Sequence, residues 1–131
     1  MMRLLLDTHA AYWAIREPTR IPSPARDLVE DMGNEVLVSA ITPWELGIKF
    51  RKGLLPGAGL FLEALERHLR FLRATELPVT LEHSLATAHL EWTHRDPFDR
   101  MLAAQAIVEN AVLVTADAAF SSLAGLRTAW K

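Results

Sequence analysis

The chain has 131 residues, with 14 lysines and arginines against 16 aspartates and glutamates, and no cysteine. That length fits one domain able to bury about two-thirds of its unfolded surface, so a core is available without covalent staples. The missing thiols exclude disulfides, thiolate zinc sites, iron–sulfur clusters and cysteine nucleophiles, and the near-balanced charge excludes a global positive field for nucleic acid.

In chain order, RLLL (3–6) is a short apolar run ending in Asp7-Thr8, after which HAAYWAIRE has helical character as far as Pro18. The segment reads strand, turn, helix. Ser23-Pro24 opens a second helix that Gly33 closes, with proline in the first turn and glycine after the last. EVLVSA (35–40), rich in β-branched residues, is the next strand, and Thr42-Pro43-Trp44-Glu45 starts a helix running to Gly53. In LFLEALERHLRFLRA (60–74), Leu62, Leu65, Leu69 and Leu72 fall at helical spacing with the charges largely elsewhere, which makes an amphipathic helix. ELPV (76–79) is a strand candidate, and Thr80 caps a helix over LEHSLATAHLEW (81–92). Asp96 caps a further helix through Glu109, with Asn110 as its left-handed stop. AVLVTAD (111–117) is the clearest strand, AAFSSL a short helix and RTAW (127–130) an edge strand, while PGAG (56–59) and REPTRIPSP (16–24) are loops.

Strands alternating with helices predict a single α/β domain over residues 1–131, with a mainly parallel sheet of four or five strands flanked by helices on both faces. Three leucines before Asp7 are too few for a signal-peptide core, and no run approaches the roughly 18 apolar residues of a membrane span. The expectation is a soluble, cytoplasmic protein.

Parallel sheets place ligands outside the carboxyl ends of their strands, so acids at strand exits come first. Asp7 ends the first strand and Asp117 the late one, while Glu45 and Asp99 start the helices that follow the second strand and precede the late strand. Capping accounts for some of these acids. Thr42-x-x-Glu45 has the capping-box pattern, and Asp96 is a natural cap with Pro97 and Asp99 in the turn it opens. Capping explains Asp7 and Asp117 less well, because each stands behind an apolar strand, at the sheet edge rather than in open solvent. Carboxylates crowded there repel unless a positive group compensates. A hard divalent cation would do so, taking oxygen ligands while binding a phosphate and activating water. Spacing alone does not bring the acids together.

LLLDTHAAYW (4–13), VSAITPWELGIK (38–49), HRDPFDRMLAAQA (94–106) and LVTADAAF (113–120) resemble, in this order, the four acidic blocks of PIN domains. They are most similar to those of the VapC-like toxins of bacterial toxin–antitoxin pairs, and DPFDR with its Ala/Gln-rich helix is the most specific piece. The resemblance implies a Mg²⁺- or Mn²⁺-dependent ribonuclease with a parallel sheet and an acidic pocket at its carboxyl edge. Asp7, Glu45, Asp99 and Asp117 would form the acidic quartet, with Asp7 and Asp99 as direct ligands. It also implies a homodimer and a cognate antitoxin that covers the pocket. Asp96 and Asp99 compete for the ligand role. The cap preference of aspartate gives the cap to Asp96 and the site to Asp99, and the choice stays open at the level of sequence.

Thr8 and Thr115 stand beside strand-end acids and are equally candidates for holding a carboxylate and for ordinary backbone bonding. His9, His68, His83, His89 and His94 include no HExxH arrangement, so zinc is not indicated; His9 and His94 belong to the acidic blocks. Lys49, Arg51, Lys52, Arg95 and Arg100 are the local cations for an RNA backbone, although a helix end favours the first three on its own. Trp13, Trp44, Trp92 and Trp130 are more often packing residues than base-stacking ones. Trp44, Leu46, Phe50, Leu54 and Leu55 are candidates for a partner surface.

The reading is an endoribonuclease toxin. Its rival is a non-catalytic module of the same fold that binds RNA or protein through capping acids and surface. A phosphomonoesterase would want a second aspartate two residues beyond the first, which Asp7-Thr8-His9 lacks.

Overall fold

The computed structural model describes residues 1–131. Five strands, β1 (Arg3–Leu6), β2 (Glu35–Ser39), β3 (Ala74–Leu77), β4 (Val112–Val114) and β5 (Thr128–Ala129), lie in the order β3-β2-β1-β4-β5. Every pairing is parallel, with Leu5 registered against Leu37 on one side and Leu113 on the other. Parallel neighbours require crossovers, and seven α-helices are available to supply them: α1 (Thr8–Arg16), α2 (Ser23–Glu30), α3 (Ile41–Arg51), α4 (Ala58–Glu63), α5 (Leu65–Leu72), α6 (Leu81–Ala88) and α7 (Pro97–Val108).

The period of two along the strands divides the core into two layers. Leu4, Leu6, Val36, Val38, Val112 and Val114 pack with Ala10, Ala11, Ala25 and Val29 of α1 and α2. Leu5, Leu37 and Leu113 face the other way, against Leu102, Ala103 and Ala106 of α7 and Phe120. The central strands are thus covered on both faces, as their unbroken apolar runs require. Each leucine fully buried in β1 contributes about 1.5–3 kcal/mol relative to exposure. A third, smaller cluster of Tyr12, Leu46, Ala58 and Phe61 ties α4 to α1 and α3.

Several expectations need correction. The amphipathic stretch 60–74 is two helices, α4 starting at Ala58 inside the expected PGAG loop and the break falling at Ala64 (φ −110, ψ 21). Helix α5 then ends on Arg73, a non-glycine residue in the left-handed region (φ 52). Strand β3 begins two residues before ELPV, at Ala74. Helix α6 stops at Ala88 rather than continuing to Trp92, β4 is only Val112–Val114, and α2 ends at Glu30, before Gly33. Pro18–Arg20 forms a 3-10 turn in the REPTRIPSP loop. Asn110 is left-handed (φ 53), as expected of a helix stop. No helix is long and apolar enough to cross a membrane.

Candidate active site

The strand order reverses between β1 and β4, because the chain winds outward through β2 and β3 and then returns to the other side of β1. A crevice therefore opens at the carboxyl ends of those two strands. Asp7 leaves β1 there, its N–H donating to the Val114 carbonyl at 3.0 Å. Its side chain is buried, and Oδ1 accepts from the Ala10 N–H at 2.8 Å, so Asp7 also caps α1. Glu45, the fifth residue of α3, is equally buried. Its Oε1 accepts from the Thr8 hydroxyl at 2.6 Å, and its Oε2 lies 3.1 Å from the Lys49 ammonium. Asp99 stands in the first turn of α7, with Oδ2 bonded to His94 Nε2 at 2.7 Å.

Asp7, Glu45, Asp96, Asp99 and Asp117 line one cleft of about 210 Å³ together with Thr8, His9 and Lys49, and no apolar residue lines it. The remaining two acids stand at its exposed rim. Asp96 caps α7 by accepting from the N–H groups of Phe98 and Asp99, and Asp117 caps the 118–122 turn by accepting from Ala119. Thr115 is buried, and its hydroxyl accepts from the Asp117 N–H at 3.0 Å.

The electrostatics follow from this crowding. Burial pushes the Asp7 carboxyl above its ordinary range, opposed by the Thr115 hydroxyl and the Ala10 amide. Burial also pushes Asp99 up to about 6, opposed by its bond to His94 and reinforced by the charges of Asp96 and Glu45. Glu45 thus raises both of the other inner acids. The His9 imidazole is held below its usual value by burial and by the Lys49 charge. Ionised, the cleft carries more negative charge than Lys49 alone offsets. Five carboxylates and the Thr8 hydroxyl dominate its donors, with the His9 imidazole beside them, a set that suits Mg²⁺ or Mn²⁺ better than a soft metal. As the side chains stand, no group of three or more His, Asp or Glu is gathered closely enough to hold a metal ion. Holding one would need the carboxylate oxygens closer together than they stand.

The placement corrects several sequence assignments. Capping and site are not exclusive for Asp7 and Asp117, since both cap a helical turn while lining the cleft. Asp117 is exposed rather than sunk at the sheet edge. The Thr42–Glu45 capping box is absent: α3 starts at Ile41 behind an uncapped Ala40, and the buried Thr42 hydroxyl has no partner. The Arg100 guanidinium is taken up by the chain itself, donating to the carbonyls of Thr87, Leu90, Trp92 and His94. Arg51, Lys52 and Arg95 are exposed outside the cleft lining, and Lys49 is inside it. Leu46 belongs to the core, whereas Trp44, Phe50 and Leu54 are exposed. Trp13, Trp92 and Trp130 pack against other rings, and Trp44 meets Phe98 edge-on while remaining 64% exposed. The roles of His9 in the lining and His94 on Asp99 went unassigned from sequence. Their position inside the acidic blocks was the only signal.

A wholly parallel α/β sheet with an acid-lined cleft at its switch point defines the class of scaffold, and the comparisons narrow it. The sequence pattern of the PIN domain family matches residues 4–126. The chain belongs to the PIN domain family, as a VapC-like member. It is 32% identical over 120 residues to ribonuclease VapC22 of Mycobacterium tuberculosis, covering 89% of this chain and 88% of that one. Its fold is similar to that in the crystal structure of VapBC2 from Rickettsia felis bound to a promoter DNA fragment (TM-score 0.74, 21% identity, 99% and 100% of the two chains). It is also similar to that in DNA-bound VapBC from Salmonella typhimurium (TM-score 0.67, 23% identity, 98% of each chain).

Proposed function

We propose that this chain is a divalent-cation-dependent endoribonuclease toxin that hydrolyses RNA phosphodiester bonds with an activated water, and that a cognate antitoxin neutralises it. The observation that carries this reading is the cleft itself, lined by five acids, Thr8, His9 and Lys49 and by nothing apolar. The relative named a ribonuclease matches along most of the chain and supports the same chemistry. Mg²⁺ or Mn²⁺ bound there would supply positive charge for a phosphate and make a water nucleophilic near neutral pH.

Asp7 and Asp99 are the proposed direct ligands, with Glu45 and Asp117 completing the set and Asp96 left to its cap. Thr8 holds Glu45 by its hydroxyl, which keeps that carboxylate aimed, and Lys49, now paired with Glu45, would exchange that partner for a phosphate oxygen. Arg51, Lys52 and Arg95 are the proposed outer contacts to the RNA backbone. The neighbours solved as VapBC complexes support an antitoxin partner, and a homodimer acting in the cytoplasm completes the proposal.

Two observations favour a non-catalytic binding module of the same fold: Lys49 already neutralises Glu45, and no three acids are gathered for a metal. Sequencing RNA ends after induction of wild type and Asp99→Asn in the same cells separates the two. New 5′ ends specific to the wild type are expected. An identical set of ends from both proteins overturns the nuclease reading.

A further inference from the structure

His94 is the only side chain that donates to the Asp99 carboxylate, and its own placement is fixed from several directions. The His94 Nε2 to Asp99 Oδ2 distance is 2.7 Å, and the two side chains are 29% and 20% exposed. The imidazole lies 4.7 Å from the Trp92 ring at an interplanar angle of 31°, with Phe120 at 6.4 Å. Trp92 is itself anchored by Nε1–H donating to the Ser122 hydroxyl at 2.9 Å. The His94 carbonyl accepts from Arg100 at 3.0 Å, so backbone and ring are both held. An ionised Asp99 carboxylate can only accept, so Nε2 is taken as the donor to it, and no protein group bonds to the other imidazole nitrogen.

This arrangement has a direct consequence for the carboxylate. With Oδ2 occupied by an N–H, Oδ1 is left as the oxygen of Asp99 without a protein donor. A carboxylate on the first turn of a helix otherwise samples several rotamers, and an N–H fixed by a stacked ring selects one. Groups that hold a metal-binding side chain by hydrogen bonding contribute to metal affinity without touching the ion.

Resting on the metal-dependent nuclease reading, we propose that His94 is a positioning residue, whose Nε2–H fixes Asp99 so that Oδ1 is the oxygen presented to a divalent cation. The Trp92 stack and the Arg100 clamp exist, on this account, to aim one N–H. A purely structural tether between the 89–96 segment and α7 would make the same bond, so the test must read metal affinity separately from fold.

Calorimetric titration of Mn²⁺ into wild type, His94→Phe, His94→Gln, Asp99→Asn and the His94→Phe/Asp99→Asn pair does this, with melting in EDTA as the fold control. Phenylalanine keeps the stacked ring and loses the donor, so Mn²⁺ affinity should fall about tenfold or more. Glutamine carries an amide N–H near the Nε2 position and should recover most of that loss. The double variant should bind no more weakly than Asp99→Asn alone, because His94 acts through Asp99. His94→Phe binding Mn²⁺ within twofold of wild type overturns the positioning role and leaves the nuclease reading standing. Wild type binding no Mn²⁺ overturns both. Should His94→Phe fail to fold, imidazole ¹⁵N shifts of the wild type carry the test. They should report the Nε2–H tautomer before and after Mg²⁺ is added, and a switch to Nδ1–H on addition overturns the proposal.

Discussion

Asp99 illustrates how a single residue is set against its surroundings. Its carboxyl rises from 3.8 to about 6, first because it is buried and despite the donor from His94. An acid whose folded value exceeds its unfolded value contributes stability that is complete below pH 3.8 and is lost as the pH rises through about 6. At pH 7.5 the ionised group therefore opposes folding. Asp99→Asn keeps an acceptor for His94 and removes the charge. In EDTA at pH 7.5 it should melt above wild type by roughly 3–5 °C, corresponding to about 1 kcal/mol once solvent screening of a half-buried group is allowed for. The gap should close toward pH 4. Adding Mg²⁺ should raise the wild-type midpoint and leave the variant unmoved, because only a bound ligand stabilises the state that binds it. An asparagine variant that melts lower than wild type throughout would contradict this view of Asp99 as a charge kept for function. Glu45 is treated differently: its charge already meets Thr8 and Lys49, so its local environment is satisfied without a cation.

At the scale of elements, the segment between α6 and α7 has no regular structure of its own, and Arg100 organises it. One guanidinium, one turn into α7, bonds to the carbonyls of Thr87, Leu90, Trp92 and His94 at 2.8–3.4 Å. Arg100→Ala leaves those acceptors without their donor and should cost about 2–3 kcal/mol of unfolding free energy in urea. Lysine, a point donor without the planar fork, should restore only part of it. A variant with wild-type stability and weakened RNA binding would instead return Arg100 to the RNA-contact role the sequence suggested. The carbonyl contacts of Arg100 were not legible in sequence for a physical reason. Charge and neighbourhood in DPFDR are visible in sequence, whereas the carbonyls that consume the charge come from a loop whose path depends on where α6 stops.

Other elements follow the same division. β1, β2 and α7 were legible because Leu4–Leu6, Val36–Val38 and the Asp96–Pro97 start carry their own periodicity and capping. The break at Ala64 was not, since alanine is a strong helix former and the leucine spacing runs through it. Phe61, three residues before it, packs with Tyr12 and Leu46, a tertiary contact that no window of sequence contains. Likewise Thr42 and Glu45 match a capping box in pattern, yet α3 begins earlier and Glu45 turns to Thr8 across 37 residues.

For the whole molecule, the strand order gathers chemistry from distant parts of the chain. Asp7 and Asp117 meet at one crevice because β4 returns beside β1, and α3 and α7 bring Glu45 and Asp99 to the same place. Motif resemblance anticipated this convergence, while spacing alone did not, because crossover order is a property of the completed sheet. The net charge of −2 supplies no broad attraction for RNA, so the proposed binding rests on Lys49 in the cleft and on Arg51, Lys52 and Arg95 outside its lining.

On the proposed function, the acids of this cleft act together in cation-dependent RNA cleavage. The measurement that tests it most directly is cleavage of a defined RNA by purified wild type and Glu45→Gln, first in EDTA and then with Mn²⁺ restored. Cleavage should be absent in EDTA, return with Mn²⁺ for the wild type, and be slower by about 100-fold or more in the glutamine variant. Equal cleavage in EDTA, or a Glu45→Gln protein as active as wild type, would contradict it.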